Sequence, residues 1–116
     1  MPANPIDFDT VRAFALALPG VTESTLHGAP SLKLGGRLLA CPALHRSAEP
    51  DSLMVRIGFE QRAGLLAAEP NLYYVTDHYT KHPAVLVRLT RIKRPALKRL
   101  LALAWDSGRS TKRSTG

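Results

Sequence analysis

The sequence contains a single cysteine, Cys41, in 116 residues. One thiol cannot form a disulfide within the chain, so an apolar core has to hold the fold, and Cys41 fits a reducing compartment as a structural residue. Hydrophobic residues at 45% are sufficient for such a core in a single domain. The sequence also lacks the apolar run of roughly 18 residues that a membrane span needs, and its N-terminus lacks a signal peptide pattern. We therefore predict a cytoplasmic protein with no membrane association.

Acidic residues are scarce in the last third of the chain. Residues 1–80 contain six lysines and arginines against eight acids, whereas residues 81–116 contain ten against one, Asp106. The net charge of +7 therefore lies almost entirely after Tyr79. This placement favours an anionic partner for the C-terminal third, either nucleic acid or a membrane surface. The alternative is a basic surface that only aids solubility.

Apolar periodicity and turn signals divide the chain into eight elements. In chain order they are a helix from Asp7 or Asp9 to Leu18, hairpin strands at 31–34 and 37–41 joined by Gly35-Gly36, a strand at 53–57, a helix at 59–68, strands at 72–79 and 84–92, and a helix from Pro95 to Trp105. Residues 106–116 are predicted to form a disordered basic tail after a single domain, 1–105. Grouped strands with helices at the ends indicate an α+β fold, with one antiparallel sheet of about five strands and helices packed on one face.

Six segments, in this order and spacing, resemble the MmcQ/YjbR family between Phe8 and Trp105. They are LPGV at 18–21, GAPSLKLGG at 28–36, FEQR at 59–62, YVTDHY at 74–79, PAVLVRL at 83–89 and LLALAW at 100–105. The resemblance implies a fold similar to frataxin, the CyaY-like fold, and DNA binding through a double-wing arrangement of strands and turns. It implies no catalytic residues. Frataxin-like proteins bind iron through an acidic ridge on the first helix, but this chain offers only Asp7 and Asp9 there, so no metal and no cofactor is expected.

Strand alternation predicts a polar face on the side of the sheet away from the helices. Its members are Lys33, Arg56, Tyr74, Thr76, His78, Arg88 and Thr90. Cations neutralise phosphates and aromatic rings stack on unpaired bases, so this set suits nucleic acid. A solvated face is the alternative, since an antiparallel sheet is commonly covered on one side only.

A second basic group lies near the C-terminus. It comprises Lys81, the run Arg91, Lys93, Arg94, Lys98 and Arg99, and the tail residues Arg109, Lys112 and Arg113. Lys98 and Arg99 lie away from the apolar stripe of the last helix and would position phosphates without reading sequence. The apolar stripe itself is better explained as core than as a membrane-binding surface. The predicted nucleic-acid-binding set is therefore Lys33, Arg56, Lys81, Arg88, Arg91, Lys93, Arg94, Lys98 and Arg99.

No catalytic constellation is predicted. His78 and His82 are four residues apart, a spacing that places two metal ligands together only on a helix, whereas this segment is predicted to be a strand end and a turn. Our leading hypothesis is a non-enzymatic DNA-binding protein of low sequence specificity. The second is a module that binds a protein or a small anion through Tyr74, His78 and Arg88, and an enzyme comes third. The sequence does not predict an oligomeric state.

Overall fold

The structure, a computed structural model, describes residues 6–26 and 28–114, with no side-chain description for Leu26 and residues 109–114. This part of the chain forms three helices and six strands. They are α1 (Phe8–Leu16), β1 (Val21–Leu26), β2 (Ala29–Leu34), β3 (Arg37–Pro42), β4 (Ser52–Arg56), α2 (Phe59–Ala68), β5 (Tyr73–Tyr74), β6 (Ala84–Arg88) and α3 (Arg94–Ser114). The predicted α+β fold with one antiparallel sheet is confirmed.

The six strands form one sheet in the order β1-β2-β3-β4-β6-β5, and every neighbouring pair is antiparallel. The hairpin between β2 and β3 is the predicted one. Gly35 and Gly36 both have positive φ angles, 60° and 83°, which two-residue hairpin turns require and which glycine adopts without steric cost. α2 has the predicted bounds, 59–68.

The helices cover one face of the sheet. Its central row is formed by fully buried register partners on four strands, Leu32, Ala40, Val55 and Val85. Against this row pack Val11 and Ala15 of α1 and the predicted apolar stripe of α3, whose buried members are Leu97, Leu100, Leu101 and Ala104. The Trp105 indole N–H donates to the carbonyl of Pro19 at 2.7 Å and so ties α3 to the turn after α1.

The opposite face is not the solvated surface that was one of our sequence-based alternatives. Its central row contains Cys41, Met54, Leu86 and Tyr74, which are register partners on β3, β4, β6 and β5. Leu86 is fully buried and Cys41 is 9% exposed, although this face carries no helix. Two connections, residues 43–51 and 75–83, contact each other through Ser47 and Thr76, and the first also bonds the Tyr74 hydroxyl at the edge of the sheet. Loops therefore shelter this part of the face, whereas Arg56 on the same face is exposed.

Several elements differ from the prediction. α1 ends at Leu16 instead of Leu18, and β6 ends at Arg88 instead of Ile92. β1 occupies a segment that we read as an irregular link, so the sheet has six strands instead of about five. β5 has two residues instead of eight, and Thr76 to Tyr79 belong to the connection after it. α3 does not end at Trp105 but runs to Ser114. Beyond Asp106 the helix still packs on the fold: the Ser107 hydroxyl donates to the side chain of Gln61 in α2, and Gly108 leaves room for Leu34 of β2. Residues 106–114, which the sequence analysis assigned to a disordered tail, continue α3 in the structure, and residues 115 and 116 lie outside the described part.

Candidate functional site

Polar and aromatic side chains gather where the two connections meet on the sheet. We call this group the loop cluster, and its members are His45, Ser47, Glu49, Ser52, Tyr74, Thr76, His78, Tyr79 and Arg88. Ser47 Oγ lies 2.8 Å from Thr76 Oγ1, which links residues 43–51 to residues 75–83. The Tyr74 hydroxyl lies 2.5 Å from Ser52 Oγ and accepts the backbone N–H of Glu49 at 2.7 Å. The cluster thus joins three segments that are distant in sequence.

Arg88 is an internal anchor of this cluster. Its Nε and Nη2 donate to the two carboxylate oxygens of Glu49, both at 2.9 Å, and its Nη1 donates to the carbonyls of Pro70 and Asn71 at 3.2 and 3.1 Å. The guanidinium also lies 4.5 Å from the centroid of the Tyr74 ring. Hydrogen bonding to Glu49 raises the pKa of Arg88, and the same bonds lower the pKa of Glu49. The donors that we expected to meet phosphates are therefore already occupied.

The rings of His45 and His78 stack at a centroid distance of 3.5 Å and an angle of 7°. Nδ1 of His45 accepts the backbone N–H of Ser47 at 3.1 Å, so His45 is neutral with its proton on Nε2. Desolvation lowers the pKa of His45, and the nearby His78 and Arg46 lower it further. Burial raises the pKa of Tyr79, whose ring packs edge-on against both histidines. The stack therefore disfavours protonation of His45.

One serine in the cluster lies beside a histidine, a pairing that is used in nucleophilic catalysis. Ser47 Oγ is 2.8 Å from Nδ1 of His45. That nitrogen also accepts the Ser47 amide, so its lone pair is already shared and poorly placed to take a hydroxyl proton. The two residues are only two positions apart, and their contact stabilises the turn between them.

Arg62 is a structural residue that the sequence analysis quoted only as part of a motif. Its guanidinium donates to the carbonyls of Thr80, His82 and Ala84 at 2.9 to 3.2 Å. It also lies 4.8 Å from the centroid of the Phe59 ring. Arg62 therefore fixes the end of the 75–83 connection to α2. The helical position of Arg62 is visible in the sequence, but its three carbonyl acceptors are not.

Most of the predicted cations of the C-terminal third are exposed on one short stretch of the chain, 91–99. We call them the α3 ridge: Arg91, Lys93, Arg94, Lys98 and Arg99. All five are exposed. Within the described residues the salt bridges involve Arg12 and Arg88, and none involves the ridge. The Lys98 ammonium lies 5.0 Å from the centroid of the Phe14 ring, so Lys98 also contacts α1.

Three further members of the predicted set, Lys33, Arg56 and Lys81, lie toward the end of the sheet away from Arg88. Arg56 pairs with Ala84, whereas Arg88 pairs with Ser52, four positions along the same two strands. Lys33 pairs with Leu38 close to the hairpin turn, and it is half-buried. Lys81 is exposed in the connection held by Arg62. The predicted nucleic-acid-binding residues are therefore divided between the two ends of the sheet, and they do not form one surface on a single sheet face.

Two other features follow from the described residues. No three His, Cys, Asp or Glu side chains among them lie together in a group that could hold a metal ion. None of the helices in this part of the chain has the length and apolar character needed to cross a membrane.

The fold and the loop cluster define a class: a small antiparallel α+β domain with helices on one face of the sheet and polar connections on the other. The YjbR family model matches residues 16–107. The chain belongs to the YjbR family, which confirms the resemblance found in its sequence.

Similar proteins support this assignment. The chain is 31% identical over 113 residues to an uncharacterized protein of Mycobacterium bovis and to uncharacterized proteins of two Mycobacterium tuberculosis strains, with 84% of this chain and 84% of each relative covered. The crystal structure of a Deinococcus radiodurans protein with the domain DUF419 matches with a TM-score of 0.69. That match covers 90% of this chain and 80% of the other at 20% identity, so it shows a shared fold.

Proposed function

We propose that the protein binds DNA without catalysing a reaction, and that the α3 ridge contacts the phosphates. The observation that carries this proposal is the exposure of five cations on one short stretch, from the turn after β6 into the first turns of α3. Lysine and arginine neutralise phosphates and release condensed counterions, which supplies affinity with little sequence preference.

The position of the ridge on α3 adds a second argument. Lys93 and Arg94 lie at the N-terminal end of the helix, and the first turn contains no acidic residue. Positive charge there opposes the helix dipole and costs roughly 0.3–1 kcal/mol per charge at a surface. Pro95 supplies no N–H here, but the positive end of the helix dipole favours an anion. The charges are thus unfavourable for the isolated helix and favourable for a bound phosphate.

A salt titration of DNA binding tests the ridge. The variant K93Q/R94Q/K98Q removes three cations, and we expect the slope of log K against log salt to fall by up to about 2.7, since each phosphate contact contributes about 0.9. Affinity for a random duplex at low salt should fall at least tenfold. Fluorescence anisotropy with a labelled duplex measures both quantities.

The matched control is R37Q/R46Q/R56Q, which lowers the net charge by the same amount through exposed arginines outside the ridge. We expect it to keep the wild-type slope within about one unit. Equal losses in the two variants would show that net charge alone attracts DNA, and absence of wild-type binding at low salt would refute the proposal.

The alternative of a small-anion site at Tyr74, His78 and Arg88 has less support. The Arg88 guanidinium already holds Glu49 and two carbonyls, so an incoming anion would first have to displace the Glu49 carboxylate. We therefore leave Arg88 out of the proposed DNA-binding residues. Lys33, Arg56 and Lys81 are also left out because they lie toward the other end of the sheet.

A further inference from the structure

A cleft of about 120 Å³ opens between the β2–β3 hairpin, the start of α2 and the second half of α3. Its apolar lining includes Leu34, Leu38 and Leu39 of the hairpin, Ala104 of α3, and Ile57 and Pro83 from the connections. Its charged lining consists of Arg37 and Arg56. The cleft therefore combines an apolar floor with two positive charges.

The two arginines are available to a ligand. Both are exposed, and among the described residues neither guanidinium has a carboxylate or hydrogen-bond partner. This contrasts with Arg62 and Arg88, whose donors are occupied by carbonyls and a carboxylate. A guanidinium offers five N–H donors in a fork that matches carboxylate and phosphate oxygens.

The backbone at the start of α2 does not supply the anion contact. The Gly58 N–H donates to Oε1 of Gln61 at 2.8 Å, and the Ser107 hydroxyl donates to the same oxygen at 3.3 Å. The polar groups in the floor are thus paired with each other. An anion in this cleft would be held by the arginine side chains.

We propose that the cleft binds a small amphipathic anion, in which a carboxylate or phosphate is joined to a compact apolar group. The anion pairs with Arg37 and Arg56, and the apolar group displaces water from the floor around Leu38 and Ile57. The cleft shares no residue with the α3 ridge, and their nearest members on α3, Arg99 and Ala104, are five residues or about 7.5 Å apart along the helix. The cleft is therefore distinct from the α3 ridge and does not depend on DNA binding there.

Phenyl phosphate and benzoate are suitable probes, since they join a phosphate or a carboxylate to the same ring. Inorganic phosphate has the anionic group without the ring, and benzyl alcohol has the ring without the anionic group. We expect at least one amphipathic probe to bind at least tenfold more tightly than inorganic phosphate or benzyl alcohol. In NMR spectra of the full chain, the shifts should concentrate on the Arg37 and Arg56 side chains and on the methyl groups of Leu38 and Ile57.

Two variants separate the charged from the apolar contribution. R37Q/R56Q should lower the affinity for the tighter-binding amphipathic probe at least tenfold. Leu38→Gln should also lower that affinity, but it should not change the weak binding of inorganic phosphate. Both positions in the first variant are exposed, so its thermal unfolding should match that of the wild type, which excludes loss of fold as the cause. Equal affinity for inorganic phosphate and the ring-bearing probes, or unchanged affinity in R37Q/R56Q, would overturn the proposal.

Discussion

The guanidinium of Arg88 is surrounded by acceptors from two segments far from it in sequence, Glu49 and the carbonyls of Pro70 and Asn71. Strand alternation correctly predicted that Arg88 lies on the face away from the helices, but it did not predict the partner. Glu49 is 39 residues earlier and belongs to a loop, where periodicity carries no information about position. An arginine on a sheet face is thus equally compatible with a phosphate contact and with an internal ion pair until the loops are known.

Replacing Arg88 by alanine should destabilise the fold by about 2 kcal/mol, because it removes charge-assisted hydrogen bonds and leaves the paired carbonyls without a donor. The side chain is 19% exposed, so water only partly replaces the lost bonds. Arg91→Ala, three residues later and exposed, is the matched control and should change stability by less than about 0.5 kcal/mol. Urea unfolding followed by circular dichroism measures the difference. Equal stability of the two variants would contradict the role given to Arg88.

At the scale of elements, the strands and helices with a strong periodic signal were predictable, and the short and irregular ones were not. The hairpin turn needs positive φ at two positions, and a Gly-Gly pair is a local signal for it. β1 has no comparable signal: its exposed residues Thr22, Glu23 and Thr25 look like a link, and only pairing with β2 makes them a strand. The shortness of β5 likewise depends on the connection that follows it, whose position is fixed by Arg62 and Ser47 from other elements.

The stacked histidines make the two connections sensitive to acid. Because the pKa of His45 is lowered in the folded protein, the unfolded chain takes up a proton first as the pH falls. The stability that neutral His45 contributes is fully present above its ordinary pKa of 6.5 and is lost as the pH falls below that value toward the folded pKa. Arg46, His78 and Tyr79 are the other charged or titratable groups placed near it, and the lowered pKa of Glu49 in the same connection acts only below its ordinary 4.5.

The free energy of unfolding of the wild type should therefore decrease between pH 7 and pH 5. His45→Gln should show a smaller decrease, since its side-chain oxygen can accept the Ser47 amide at any pH. His82→Gln, at an exposed position outside the stack, serves as the control and should follow the wild type. Chemical unfolding at several pH values gives the curves, and parallel curves for all three proteins would show that His45 does not couple to folding.

For the whole molecule, the sequence located the basicity correctly in the C-terminal third but not its division in space. The net charge of +7 counts all charged side chains alike. The structure places nine of the cations in three different environments. Arg62 and Arg88 satisfy acceptors within the fold, the α3 ridge faces solvent at one end of α3, and Arg37 and Arg56 border the cleft near the other end. Arg37 was absent from the predicted set because its neighbours in sequence, Gly36 and Leu38, gave no indication of a cleft formed with α2 and α3.

This division predicts that the two exposed basic regions act independently. The two regions share no residue, since Arg37 and Arg56 lie on β3 and β4 and the ridge cations lie before and on the first turns of α3, and mutations at positions with no shared partner usually have additive effects. R37Q/R56Q should therefore lower phenyl phosphate affinity at least tenfold while DNA affinity changes less than threefold, and K93Q/R94Q/K98Q should do the reverse. Measuring the affinity of both variants for both ligands at one salt concentration distinguishes two independent sites from one continuous phosphate-binding surface. On a continuous surface, either variant would lower the affinity for both ligands. Competition gives the same distinction in the wild type, because saturating phenyl phosphate should leave DNA anisotropy unchanged if the cleft and the ridge are separate sites.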